Sequence, residues 1–173
     1  MVIRKATTPS PTALLALNNA MSNLGVKEVP SGSNDGPKVR VWLAGVGLPA
    51  GYAWCMAFVY AMFSDACMEL GISNPLQATG GVLHQFNTCS GKGIYKMDAR
   101  IAPITIQDLL SGDIFIIQFR HGQGHTGIVK KITGKSFLSI EGNTNIGGER
   151  EGIGVFERRR FPTELRGIIR ITI

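Results

Sequence analysis

Cys55 lies in Gly51-Tyr52-Ala53-Trp54-Cys55-Met56-Ala57-Phe58-Val59, where a Gly- and Pro-containing loop runs into an apolar helical pattern. Far downstream, His125 sits in Gly124-His125-Thr126-Gly127-Ile128-Val129, a stretch of strand character, and Glu141-Gly142-Asn143 closes the next strand-like run. A thiol at a helix start, an imidazole on a strand and a carboxylate or amide beside it are the parts of a nucleophile, its base and the group that orients the base. A free thiol has a pKa of about 8.5 and is a weak nucleophile until its thiolate is stabilised. Unpaired N–H groups and the positive dipole end of a helix supply one such stabilisation, and an adjacent imidazolium supplies another. Cys55 is placed to receive the first.

Three histidines compete for the second role. His84, in Val82-Leu83-His84-Gln85-Phe86, reads as a polar residue on a helix flank. His121 sits in the loop Arg120-His121-Gly122-Gln123-Gly124, where a base is poorly fixed but substrate contact is open to it. His125 starts an apolar strand and has glycines beside it, so it is the expected base. A hairpin centred on Gly134, with Thr133-Gly134-Lys135 as its loop, would set His125 opposite Asn143 and diagonal to Glu141 on one face. A two-residue loop would reverse that parity, so an odd loop is expected. Glu141 is the first choice to orient the imidazole, because a carboxylate also stabilises imidazolium, and Asn143 shares or completes the task. The Cys55 N–H is the expected oxyanion donor, with a second donor from the residues before it. Tyr52, Trp54 and His121 are the candidates for oxyanion or substrate contact.

The elements that must position these groups follow from periodicity. Ser10 can cap and Pro11 can open a helix whose Leu14, Leu17, Met21 and Leu24 recur at helical spacing, with Gly25 ending it. After the loop 26–36, Pro37 opens a short helix carrying Val39, Trp42 and Leu43. The strongest helix runs from Trp54 to Leu70 with a broad apolar face, and a short one spans 81–87. Beyond Pro103 the pattern turns extended, with strands over 113–119, 125–132, 136–141, 152–159 and 166–173. The expected fold is α+β: helices over about 10–90, with the nucleophile helix at the centre, packed on an antiparallel sheet of about five strands over about 103–173. The 173 residues are expected to form a single domain.

Composition narrows the function classes. The apolar share of 44% supports a real core. No apolar run is long enough to cross a bilayer. The first residues lack the long apolar stretch of a signal peptide, so the protein is expected to be made in the cytoplasm and to act after release or specialised export. Three cysteines at irregular spacing make neither a disulfide framework nor a metal pattern, and Cys67 and Cys89 read as small buried hydrophobes. The net charge of +6 favours polyanions. Its one dense run, Arg158-Arg159-Arg160, lacks interleaved aromatics and reads as a solvated strand edge rather than a nucleic-acid site.

Four segments together resemble the CHAP domain, the cysteine- and histidine-dependent amidohydrolase/peptidase family. They are Trp54-Cys55-Met56-Ala57-Phe58-Val59, Ser111-Gly112-Asp113-Ile114, Gly124-His125-Thr126-Gly127-Ile128-Val129 and Ile140-Glu141-Gly142-Asn143-Thr144-Asn145. Gly25-Val26-Lys27-Glu28-Val29-Pro30 and Ser33-Asn34-Asp35-Gly36-Pro37 resemble the segment before the cysteine in one bacterial branch. The resemblance implies a papain-like (CHAP/NlpC-type) fold and amide hydrolysis in peptidoglycan, as an N-acetylmuramoyl-L-alanine amidase or an endopeptidase. It maps the nucleophile to Cys55, the base to His125 and the third position to Glu141 with Asn143 beside it. Some phage members carry an acidic calcium loop before the cysteine; Asn34-Asp35 is too thin for one, so no metal and no cofactor are expected. Peptidoglycan is the expected partner, an immunity or inhibitor protein is kept as a candidate, and a monomer is expected. The rivals are an NlpC-type γ-D-glutamyl peptidase, a catalytically silent wall- or partner-binding domain, and a redox thiol protein using Cys89.

Overall fold

A computed structural model of the chain describes residues 7–144 and 152–173; Asn145 of the fourth motif and the first six residues lie outside them. Four helices precede the strands: α1 (Pro11–Ser22), α2 (Pro37–Gly45), α3 (Cys55–Glu69) and α4 (Val82–Thr88). Ser10 Oγ accepts the Ala13 N–H at 3.2 Å and Pro11 occupies the first turn, so α1 begins where its cap and its missing donor place it. The buried face of α1 is not the leucine stripe. Thr12, Ala13, Ala16, Leu17 and Ala20 are buried, whereas Leu14 and Leu24 are 43% and 42% exposed. Small residues let the backbone of α1 approach α3 closely, and that close packing overrides the leucine spacing.

The six strands are β1 (Ile94–Asp98), β2 (Ile114–Gln118), β3 (Gly124–Thr133), β4 (Ser136–Thr144), β5 (Gly154–Arg160) and β6 (Gly167–Ile171). They form one antiparallel sheet in the order β1-β6-β2-β3-β4-β5. Five match the expected strands. The sixth, β1, falls before Pro103 in a mixed polar run, and its pairing with β6 makes it a strand. The sheet is apolar on both faces. Ile114, Ile116, Ile128, Ile140 and Ile169 pack with α3 residues Phe58, Val59 and Met62, while Phe115, Ile117, Val129, Phe137 and Ile168 form a second cluster with Ile104, Leu109 and Leu165. Alternation along each strand produces this division.

The β3–β4 hairpin corrects the expected loop. Thr133 pairs with Ser136, so the turn is the two-residue Gly134-Lys135, the parity that would have turned Glu141 and Asn143 away. A bulge intervenes: the register steps between Val129 and Lys131, leaving Lys130 as the extra residue, and resumes with Val129 on Ser139 and Ile128 on Ile140. The absorbed residue restores the register that a three-residue loop would have produced. Ser111 Oγ donates to the Lys130 carbonyl at 2.9 Å, which ties the bulge to the turn entering β2.

Candidate active site

The residues that could react meet where the N-terminus of α3 abuts the sheet. Trp54 precedes the helix and is fully buried; its ring packs tilted against Trp42 of α2 (5.4 Å between centroids) and edge-to-face with Phe58 (6.4 Å). Its Nε1 donates to Glu28 Oε1 at 2.8 Å, and Glu28 Oε2 accepts the Asn34 N–H at 3.0 Å. These contacts pin the loop that delivers Cys55 to the first position of α3. Gly142 completes the seat: a Cβ there would lie 2.7 Å from Phe58 Cγ and 2.7 Å from the Trp54 ring. Only a residue without a side chain lets β4 lie this close to the helix start.

His125, the second residue of β3, is 8% exposed, and Cys55 is 6% exposed. The imidazole Nε2 bonds Glu141 Oε2 at 2.7 Å. Nδ1 is then the nitrogen left for Cys55, whose thiol lines the same cleft as the imidazole. Glu141 reaches His125 by crossing Gly127, where a Cβ would lie 2.7 Å from Glu141 Cγ. Burial alone would push the imidazole toward its neutral form; the bonds and charges of Cys55 and Glu141 outweigh it and raise the His125 pKa to about 9.

Glu141 is completely buried, a position hostile to a carboxylate unless its oxygens are paired. Besides the imidazole it accepts Ser139 Oγ at 2.6 Å on Oε1, and Arg160 grips both oxygens, Nε to Oε1 and Nη2 to Oε2, each at 2.8 Å. Burial raises the carboxyl pKa; Arg160 and then His125 reverse this and hold it down at about 2. Arg160 in turn touches Glu164 Oε1 at 3.4 Å from the turn Pro162–Glu164. The edge-strand reading of Arg158-Arg159-Arg160 therefore holds for β5, which ends the sheet, and fails for Arg160, whose side chain is 12% exposed and committed to Glu141. Strand alternation carries the signal: Arg160 and Arg159 leave β5 on opposite sides, and Arg159 bonds Ser136 Oγ at 2.7 Å instead.

Asn143 does not share the imidazole. Its φ of 52° turns it off the ladder, and with its amide turned so that oxygen faces the Trp54 N–H, it accepts that N–H at 3.2 Å and donates to the Gly152 carbonyl at 3.3 Å. It fastens the strand end to the start of α3. A cleft of about 280 Å³ opens over Cys55, His125 and Asn143, walled by Gly81, Val82 and His84 on one side and by Gln123 and Gly124 on the other. His84, read from sequence as a flank residue, thus faces the cleft. Tyr52 is 54% exposed and His121 is exposed with a φ of 63°; neither lines the cleft, and the Trp54 side chain points into the core.

Both carboxylates of the preceding loop have partners of their own: Glu28 as above, and Asp35 with the Arg40 guanidinium (2.5 and 2.8 Å) and the Gly36 N–H (2.6 Å). Among the described residues no group of three or more His, Cys, Asp or Glu is arranged to hold a metal ion. Cys67 and Cys89 are buried free thiols, and burial pushes both up.

The family model of the CHAP domain matches residues 47–143, more than half of the chain and the whole span from the cysteine loop to Asn143. The chain belongs to the CHAP domain family. No curated protein matches it. Among solved structures it is similar to a wild-type endolysin, LysIME-EF1, at 16% identity and a TM-score of 0.60, covering 92% of this chain and 64% of that one. It is also similar to Ly7917, at 17% identity and a TM-score of 0.51, covering 92% and 62%, and to Ly7917 solved with the hydrolyzing product of MDP, at 16% and 0.51, covering 92% and 63%. The chain spans less than two thirds of the length of each of these proteins.

Proposed function

We propose that this chain is a peptidoglycan hydrolase that cleaves an amide bond through a Cys55 thioester. The observation that carries the reading is His125 bonded to the Glu141 carboxylate in an open cleft that the Cys55 thiol also lines. Membership of the CHAP family, likeness to an endolysin and likeness to a structure solved with the hydrolyzing product of MDP support it.

Cys55 Sγ attacks the amide carbonyl as thiolate, and a C–S bond forms. The oxyanion meets the Cys55 N–H, which has no intrahelical acceptor in the first turn. The C–N bond breaks as His125 gives its proton to the leaving amine. Water then attacks the thioester as His125 takes a proton from it; a C–O bond forms, the C–S bond breaks, the proton goes to the departing sulfur, and the carboxylic acid product leaves. The net charge of +6 favours retention on anionic wall polymers.

Within this reading the bond cut is that of an N-acetylmuramoyl-L-alanine amidase or of a peptide endopeptidase, and mass spectrometry of the new termini distinguishes them. Replacing Cys55 with Ala removes one sulfur from a nearly buried site and should leave the fold intact while abolishing release of wall fragments. A folded C55A protein that still solubilises purified walls would exclude the mechanism.

A further inference from the structure

We propose that Arg160 is a positioning residue for the Cys55–His125 pair, acting through its two-point grip on Glu141. The proposal rests on the reading of Cys55 and His125 as the reacting groups. A lone carboxylate on a side chain with free torsions could rotate and offer either oxygen to the imidazole. The guanidinium fork fixes the carboxylate plane, because Nε and Nη2 meet Oε1 and Oε2 at the same 2.8 Å. Ser139 adds a third bond to Oε1. Oε2 then points at His125 Nε2, and the ring is left with Nδ1 toward sulfur.

The fork has a second consequence, of opposite sense. Its positive charge, one residue removed from the imidazole, offsets part of the carboxylate charge that stabilises imidazolium. Arg160 therefore trades some proton affinity of His125 for fixed direction. The charged and titratable groups in play are Cys55 from α3, Glu141 from β4 and Arg160 from β5, with Glu164 behind Arg160 and His84 across the cleft on α4.

Two variants separate the effects. Arg160→Met removes both fork and charge, whereas Arg160→Lys keeps the charge and loses the fork. On folded protein, three readouts are taken: the His125 titration by NMR, the pH profile of Cys55 alkylation by iodoacetamide, and the rate of hydrolysis of purified walls. The Met variant should show a His125 titration displaced upward, an alkylation profile displaced with it, and wall hydrolysis slower by on the order of 10- to 100-fold. The Lys variant should keep the His125 titration near that of the parent and lose a similar part of the rate. A merely structural Arg160 would lower the melting temperature and leave titration, alkylation profile and rate per folded molecule unmoved; an unmoved titration and alkylation profile in folded Arg160→Met, or a parental rate in folded Arg160→Lys, overturns the proposal. If Arg160→Met fails to fold, parental hydrolysis and alkylation in Arg160→Lys overturn it equally. A parent protein that cuts no wall material, yet shows these displaced profiles on substitution, would refute the substrate reading and leave the role of Arg160 standing.

Discussion

At the scale of single residues, the site is a line of proton and charge partners: Cys55, His125, Glu141 and Arg160. The His125 pKa, raised to about 9, sets where the reaction should fail. In the proposed mechanism the leaving amine takes the imidazolium proton, so kcat/KM should fall on the alkaline side as pH passes about 9. Glu141→Gln removes the carboxylate that supports imidazolium, and the alkaline limb should move to lower pH. A limb unchanged in a folded E141Q variant would show that His125 does not govern it. The same substitution leaves a buried guanidinium facing an amide, and stability should drop by about 3–5 kcal/mol, read by denaturant titration. Nothing in the residue types singles out Arg160: strand alternation separates it from Arg159, whereas Arg158 leaves β5 on the same side as Arg160, and only the fold decides which of these two meets Glu141.

At the scale of elements, two close approaches hold the site together. The α3 start rests on Gly142 of β4, and Asn143 binds the Trp54 N–H from the same strand end. A methyl group at 142 would enter the Trp54 and Phe58 rings, so Gly142→Ala should push helix and strand apart. Overpacking of this kind costs about 1–3 kcal/mol, and a displaced Cys55 should cost on the order of 100-fold in rate. Melting temperature and wall hydrolysis measured together test this, and a G142A variant with parental values for both would contradict the seat. The β3–β4 hairpin carries a different lesson. Its apolar pattern locates both strands, but the turn length and the bulge at Lys130 each shift the register by one residue, and the two shifts offset each other. Patterning cannot separate those two contributions, because it reports faces and not pairings.

At the scale of the whole molecule, the buried pair ties stability to pH. Glu141, held at about 2, contributes stability in full above its ordinary 4.5 and loses it as pH falls toward 2. His125, raised to about 9, contributes in full below its ordinary 6.5 and loses it as pH rises through about 9. Both contributions are whole only between those ordinary values. Thermal unfolding from about pH 3 to about pH 10 should therefore show a plateau in that interval with a fall on either side. In E141Q the fall on the acid side should be shallower; an acid slope equal to the parent's would show that other carboxylates dominate. Among the described residues no helix is long and apolar enough to cross a membrane.

Residue identity and periodicity were enough to place Cys55 at its helix start and His125 on its strand, because each depends on local spacing; Glu141 meets the imidazole as expected, but through a two-residue turn and a bulge in place of the odd loop. Identity and periodicity also gave the α+β order, since caps, glycine stops and alternation are written locally. The tertiary structure alone decided that Asn143 serves the helix start, that His84 faces the cleft, that β1 joins β6 across the length of the sheet region, and that Arg160 secures Glu141. These outcomes depend on which segments come together from afar and on which side of a strand a side chain emerges. Burial then makes the choice binding: a carboxylate enclosed without water must find its cation wherever the fold supplies one.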